Sequence, residues 1–251
     1  MNVVDGLLVA AFLFFVGSVL GWCIEVLFRR VFTAKKWINP GFLTGPYLPL
    51  YGFGVAGLFG ISLIPIDTGY PALDGVIIIA IMGVAMTVIE YIAGLIFIKG
   101  MKIRLWDYSN RKGNIQGIIC PLFSFFWLAV SAFYYYVIDP YVIEAVIWFV
   151  HHMAFAFVVG LFFGVFLVDL GHSVNFTAKI RAFAKKRGVV VSFEKLKESI
   201  KDKIEAFGKK KASFIFPFKS ENGLAEELEN YTRGNCAADK NEDINKNVGA
   251  L

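Results

Sequence analysis

Long apolar runs alternate with short polar connections from the beginning of the chain to about residue 170. A helix needs about 20 predominantly apolar residues to cross the hydrocarbon core of a bilayer, and most of these runs reach that length. The pattern predicts an all-α polytopic membrane protein with about five transmembrane helices. The expected spans are residues 7–28, 48–66, 75–98, 115–137 and 142–170, of which the second is short and rich in glycine.

The connections between the runs alternate in charge. The first and the third, and the segment after the fifth run, are rich in lysine and arginine, whereas the second and fourth carry only acidic charges. Basic connections remain on the cytoplasmic side of a membrane. The alternation therefore predicts an outside N-terminus and a cytoplasmic C-terminal tail, as five spans also require. We expect a multi-pass protein of the cell membrane.

Composition divides the chain into three parts. Hydrophobic residues make up 57% of the sequence, and most of them precede residue 171. We predict a transmembrane helical domain at residues 1–170, a cytoplasmic basic amphipathic helical region at 171–218 and a disordered polar tail at 219–251. The net charge of +5 gathers beside the apolar runs and in the tail. Anionic headgroups account for it, so the expected partners are membrane lipids and not nucleic acid.

An amphipathic helix is expected early in the tail. Apolar side chains recur there at helical spacing, at Phe193, Leu196, Ile200, Ile204 and Phe207, and Ser192 can cap the first turn. Such a helix lies on the headgroups or on a partner, or it packs on its own protein as a surface helix.

The stretch NPGFLTGPYLPLYGFG, residues 39–54, is too apolar for an ordinary loop and too interrupted for an ordinary helix. Irregular backbone near a membrane persists only where protein or a water-lined cavity satisfies its polar groups. We interpret the stretch as a broken or re-entrant entry on the cytoplasmic side, and the alternative is an interfacial turn in which prolines end helices. The expected substrate or proton pathway includes Asn39, Gly41, Gly45, Pro46 and Tyr51.

Two glutamates within apolar runs complete this expected pathway. Glu25 precedes Arg29 by four residues, so an ion pair between them accounts for it without any function. Gly17 and Gly21 share its face and would let another helix approach closely, with Glu25 pointing into the bundle. Glu90 lies deeper, and no basic residue stands within four positions of it. An intramembrane carboxylate is costly, so it marks a functional site by default, and the alternative is a neutral glutamate that is hydrogen-bonded for packing.

A second polar connection carries the sequence WDYS and then an asparagine. We expect this segment to form the cytoplasmic mouth or a docking surface for a partner, through Trp106, Asp107, Tyr108, Ser109 and Asn114.

A weak internal repeat links the two halves of the sequence. In each half a glutamate is followed by basic residues, a tryptophan, an asparagine, a glycine and then a span, as in parallel repeats.

The sequence contains none of the common motifs of metal sites, nucleophilic hydrolases or ATPases. Neither a zinc-ligand spacing nor a nucleophile elbow occurs, and no Walker A sequence is present. His151 is expected at the membrane interface, and Asp169 is expected to end a helix at the headgroups. We therefore predict no metal, no cofactor and no enzymatic activity.

The quoted motifs resemble those of the CmpB-like membrane proteins, the type IV ABC-transporter permease family. The resemblance rests on GWCIE at residues 21–25, on residues 39–54, on WDYS at 106–109 and on NIQGIIC at 114–120, and it covers roughly residues 10–170. Pro40 and Ile118 stand where basic residues are common in the family. The resemblance implies a transport permease and leaves the substrate and the mechanism open.

Three functions remain open at this point. The first is the membrane subunit of a transporter that is driven by a separate ABC-type ATPase. Other copies of the chain, in a homo-oligomer, are a further expected partner. The second is an intramembrane enzyme acting on a lipid or small amphiphile, with Glu25 or Glu90 as general acid or base. The third is a membrane scaffold or sensor whose tail binds a partner.

Overall fold

The computed structural model describes residues 3–33, 39–187, 190–193 and 195–197. These residues are mainly helical, and a small parallel sheet of two strands lies among them. The helices are α1 (Val3–Phe28), α2 (Pro49–Ser62), α3 (Pro71–Leu95), α4 (Pro121–Phe133), α5 (Asp139–His151) and α6 (Ala156–Arg187), and the strands are β1 (Ile103–Arg104) and β2 (Val191–Ser192). Short π-helical turns extend α1, α3 and α4, at Arg29–Thr33, Ile96–Met101 and Tyr134–Ile138.

The helices have the length and composition that the hydrophobic pattern predicts. Within the described residues, four helical stretches are long and apolar enough to cross a membrane, and they are Val3–Val31, Pro71–Met101, Pro121–His151 and Met153–Lys186. The apolar helix α2 is shorter, with 14 residues, which corresponds to about 21 Å. The predicted all-α membrane fold is confirmed, and α1, α2 and α3 occupy the first three expected spans.

The expected connection between the fourth and fifth spans is absent. Residues 137–142 are helical, because the turn Tyr134–Ile138 leads directly into α5. Proline is tolerated in the first turn of a helix, where its missing N–H needs no partner, so Pro140 does not interrupt the chain. The chain leaves the helical conformation at His152 instead, with φ −124° and ψ 54°. The sequence-based bounds of these two spans were wrong for this reason.

The end expected for the last span, residue 170, also lies inside a helix. Helix α6 continues to Arg187 without a break. The first part of the predicted cytoplasmic region is thus continuous with the apolar helix before it. Ser192 belongs to β2, which pairs with β1, and helical residues follow it at Phe193 and at 195–197. Most of the expected amphipathic helix and all of the expected disordered tail lie outside the described residues.

Glycine residues let α1 and α2 approach closely, as the G-x-x-x-G spacing predicts. A Cβ atom at Gly17 would lie 3.0 Å from the Cβ atom of Val55, and one at Gly21 would overlap the side chain of Tyr51. Helices α3 and α4 pack in the same way: a Cβ atom at Gly83 would lie 3.0 Å from Leu128. The bundle is therefore built from two close antiparallel pairs.

Helices α5 and α6 cover the first pair. Val146 and Phe149 of α5 and Val159 of α6 form an apolar cluster with the beginning of α1 and the end of α2. The rings of Phe12 and Phe149 stack at a centroid distance of 4.5 Å. This packing fixes one end of the bundle.

The opposite end carries the two long connections of the chain, residues 39–48 and 102–120, and we call it the loop end. Strands β1 and β2 pair there, with Ile103 opposite Val191. Ile180 and Ala184 of α6 pack in the same buried cluster as these strands and Leu196. The chain after α6 thus folds back onto the loop end.

Candidate functional site

The connection of residues 39–48 has no regular structure, yet it lies against α1. The Trp22 indole donates a hydrogen bond of 2.6 Å to Asn39 Oδ1, and the Leu48 N–H donates to the carbonyl of Ser18 at 2.9 Å. Trp22 and Ser18 lie six and ten residues before the end of α1, which is roughly 9 and 15 Å along its axis. The irregular backbone therefore enters the bundle beside the last turns of α1.

Asp169 of α6 holds this connection in place. Its carboxylate accepts hydrogen bonds from the Thr44 N–H and hydroxyl, from the Gly45 N–H at 2.8 Å and from the Tyr47 hydroxyl at 2.6 Å. Ser173 donates a further hydrogen bond at 3.2 Å. Buried polar backbone needs such partners, and Asp169 supplies them from a helix 125 residues away. The expectation that Asp169 only ends a helix at the headgroups was wrong.

Asn39 organises the same connection from inside. Its side-chain amide donates to the carbonyls of Leu43 and Thr44, at 3.2 and 3.0 Å. Gly41 has a positive φ of 74°, which an L residue rarely adopts. Asn39 and Gly41 are thus needed for the shape of the loop, in addition to the pathway role expected of them.

Glu25 has two partners near the end of α1. Arg29 Nε donates to Oε1 at 2.7 Å, which confirms the expected ion pair. The Tyr51 hydroxyl donates to Oε2 at 2.7 Å and joins α2 to α1 at this point. Glu25 thus forms the expected ion pair and also lies in the contact between α1 and α2. The two expectations, an ion pair and a position inside the bundle, are therefore compatible.

Glu90 lies inside the bundle, with 4% of its surface exposed. The Tyr108 hydroxyl donates to Oε1 at 3.1 Å, and the Trp127 indole donates to Oε2 at 2.8 Å. Both donors are neutral, and they come from the second long connection and from α4. Neither was expected as a partner, because no local sequence signal links Glu90 to either one.

The second connection, residues 102–120, is a compact loop. The Trp106 indole donates to the carbonyl of Ile118 at 2.9 Å, and Asn114 donates to the carbonyls of Ser109 and Arg111. Gly117 has a positive φ of 68°, which suits its place inside the turn that the Ile118 N–H closes onto the Ile115 carbonyl. These bonds hold the loop against the bundle.

The titration of two loop residues reflects this packing. Burial raises the pKa of Tyr108, and the neighbouring Glu90 carboxylate raises it further, so Tyr108 remains a hydrogen-bond donor. Burial alone would raise the pKa of Asp107. Hydrogen bonds from Ser109 and the guanidinium of Arg104 outweigh that effect and lower the pKa below its usual range. Asp107 is therefore a charged, structural residue of the loop.

A cavity of about 590 Å³ opens between these elements at the loop end. The two connections, α1, α2, α3 and α4 all contribute to its wall, which is mainly apolar. Among the predicted site residues, the cavity is lined by Glu25, Asn39, Gly41, Tyr51, Glu90, Trp106 and Tyr108. The remaining predicted residues, Gly45, Pro46, Asp107, Ser109 and Asn114, do not line it. They shape the two connections that form the wall.

Phe193 and Lys197, from the segment after α6, close part of the same wall. The Lys197 ammonium donates to the carbonyls of Asn39 and Gly41 at 2.9 and 2.5 Å. Sequence reasoning placed this segment in a separate region, and nothing local indicated that it reaches the cavity. In the part of the chain that the structure describes, no group of three or more His, Cys, Asp or Glu residues could hold a metal ion.

Comparison with known proteins identifies the family. No curated protein and no solved structure matches the chain. The matched region covers α1 from Phe12 onwards, both long connections, most of the cavity wall and more than half of α6. Over residues 12–174 the chain matches the family described as "Putative ABC-transporter type IV", and it belongs to that family.

Proposed function

We propose that this chain is the membrane subunit of a transporter, that its substrate passes through the cavity at the loop end, and that a separate ATPase drives it. The proposal rests on the cavity. Its wall includes residues of the two long connections and the carboxylates of Glu25 and Glu90. Irregular backbone that lines a cavity within a helical membrane protein is typical of transporter binding sites. Family membership is consistent with this role.

The proposed path passes the two connections. Residues 39–48 and 105–108 bound the cavity on the loop end, and Glu90 of α3 lines it as well. A substrate in the cavity meets Glu25, Tyr51 and Glu90. The proposed roles are the positioning of substrate by the carboxylates and the shaping of the cavity by Asn39, Gly41 and Trp106.

The proposed orientation places the loop end in the cytoplasm. Arg29 and Arg30 after α1, and Arg104, Arg111 and Lys112 in residues 102–120, lie at this end, whereas the acidic residues Asp67 and Asp74 lie between α2 and α3 and in the first turn of α3. The positive-inside rule supports that orientation. It would also place the loop end on the side where an ATPase has access to ATP.

The exposed tip of the long connection at residues 102–120 is the proposed docking surface for the ATPase. Arg111 and Lys112 are exposed there, beside Asn114, whose side chain fixes the loop. Charged residues at the rim of an interface steer association and fix its register.

Affinity capture from native membranes tests the proposed function. We expect the tagged chain to retain an ATPase subunit, which mass spectrometry would identify. Charge reversal in the double variant Arg111→Glu/Lys112→Glu is expected to reduce the captured ATPase by about tenfold or more, since each lost contact contributes about 1 kcal/mol at an interface.

The matched control is Asp67→Lys, a charge reversal at an exposed position between α2 and α3, at the other end of the bundle. It is expected to leave capture unchanged. A wild-type chain that retains no ATPase from native membranes would contradict the transporter proposal. Equal losses in the control and the double variant would contradict the docking surface.

A further inference from the structure

Glu90 has an arrangement of partners that a packing role alone does not require. Each of its two carboxylate oxygens accepts one hydrogen bond, from Tyr108 and from Trp127. An ionised carboxylate is an acceptor at both oxygens, so this geometry suits the charged form. Among the described residues, no lysine or arginine forms an ion pair with Glu90, and the charge has only neutral donors to stabilise it.

The two cationic side chains of the cavity wall are engaged elsewhere. Arg29 Nε lies 2.7 Å from Glu25 Oε1. The Lys197 ammonium lies against the carbonyls of Asn39 and Gly41. The carboxylate of Glu90 is therefore the charge that a bound molecule is best placed to complement, and the complement of a buried carboxylate is a cation.

The cavity wall is rich in aromatic rings. Within the described ranges, nine aromatic residues line it, and five of them are tyrosine or tryptophan, namely Tyr47, Tyr51, Trp106, Tyr108 and Trp127. The face of an aromatic ring carries negative potential and attracts organic cations, most strongly when the site is dry. A carboxylate among aromatic rings is thus suited to an organic cation with apolar substituents rather than to a small hydrated ion.

The cavity is also open towards the side of the bundle. Phe53 of α2, Ile92 of α3 and Ile96 of the turn that extends α3 line it, and 59%, 50% and 54% of their surfaces are exposed. In a helix that crosses a membrane, an exposed apolar side chain faces lipid. A molecule dissolved in the bilayer can therefore reach the cavity between α2 and α3.

We propose that the cavity binds lipophilic organic cations, that Glu90 is the counter-charge that recognises them, and that they enter sideways from the bilayer. The proposal rests on the transporter function only for the fate of the ligand, because binding itself needs no ATPase. It names the substrate class as amphiphiles with an amine, a quaternary ammonium or a similar cationic head.

A pair of probes of equal shape and opposite charge tests the proposal. The purified full-length chain is reconstituted in lipid nanodiscs, and binding of tetraphenylphosphonium and of tetraphenylborate is measured by calorimetry against empty nanodiscs. We expect saturable binding of the cation and none of the anion. In Glu90→Gln, which keeps the shape of the side chain, we expect the Kd of the cation to rise about tenfold or more.

The control variant is Glu144→Gln, at an exposed position of α5 away from the cavity, and it is expected to bind the cation as the wild type does. Equal binding of both probes to the wild type would overturn the proposal without any variant. An unchanged Kd in a folded Glu90→Gln protein would overturn the role of Glu90. Cation binding without capture of an ATPase would contradict the transporter function alone, and capture without cation binding would contradict the ligand class alone.

Discussion

Replacement of Asp169 by alanine is expected to lower the free energy of unfolding by about 3 kcal/mol or more. The carboxylate accepts hydrogen bonds from Thr44, Gly45 and Tyr47, which lie in a connection without regular structure. A hydrogen bond to a charged group contributes about 1.5–3 kcal/mol, and donors left buried without a partner add their own desolvation cost. The expected result is a lower melting temperature in detergent and a connection that no longer closes the cavity.

Two further variants show whether the carboxylate itself is responsible. Ser173→Ala removes one hydrogen bond to Asp169, of 3.2 Å, and should cost about 1 kcal/mol or less. Asp169→Asn preserves the shape but turns one acceptor into a donor, so its effect should lie between the other two. If Asp169→Ala melts within the error of the wild type, Asp169 does not hold the connection.

Alanine at Gly21 is expected to have the next largest effect. A Cβ atom there would overlap the side chain of Tyr51 at its Cβ, close to the backbone of α2. A rotamer change cannot relieve that overlap, so the two helices would have to separate. Overpacking of this kind costs about 1–3 kcal/mol. It would also displace the Tyr51 hydroxyl from Glu25 and open the cavity wall.

Gly160→Ala is the matched control for this substitution. Gly160 lies in α6, and a Cβ atom there would meet nothing within 4 Å. Because alanine favours a helix by about 1 kcal/mol over glycine, this variant should be as stable as the wild type or slightly more stable. Thermal unfolding of both variants in the same detergent measures the difference. A Gly21→Ala protein as stable as Gly160→Ala would mean that the close contact between α1 and α2 is not required.

The two halves of the bundle use similar elements around the cavity. In each half a helix bearing a glutamate leads through a long connection into a helix that begins with proline, at Pro49 and Pro121. Glu25 and Glu90 each accept a hydrogen bond from the helix that follows, from Tyr51 and from Trp127. The glutamates and the helices that follow them thus have similar local arrangements in the two halves, although the partners differ in kind.

The class of fold and the location of the unusual charges could be predicted from local features of the sequence. The length of an apolar run is a local property that the thickness of a bilayer sets, so α1 and α3 could be predicted directly. Glu90 stood out because its neighbours in the chain are apolar. The Gly17 and Gly21 spacing predicted a close helix contact for the same local reason.

Local signals were insufficient where the outcome depended on a distant partner. Asp139 and Pro140 look like a connection, yet the π-helical turn before them lets the helix continue. Asp169 looks like a helix end, yet it bonds Thr44 across 125 residues. Lys197 belongs to a segment that was assigned to the cytoplasmic region, yet its ammonium meets Asn39 and Gly41.

Which groups share the cavity depends on how the helices pack against each other. Trp127 reaches Glu90 from 37 residues away because α3 and α4 pack as a close antiparallel pair. Tyr51 reaches Glu25 because Gly21 leaves it room. Hydrophobic patterning shows which segments are apolar enough for a membrane, but lipid is as apolar as a protein core, so the pattern does not specify which faces of the helices meet. The polar partners within a membrane bundle follow from that packing, because each buried donor and acceptor must find its complement there.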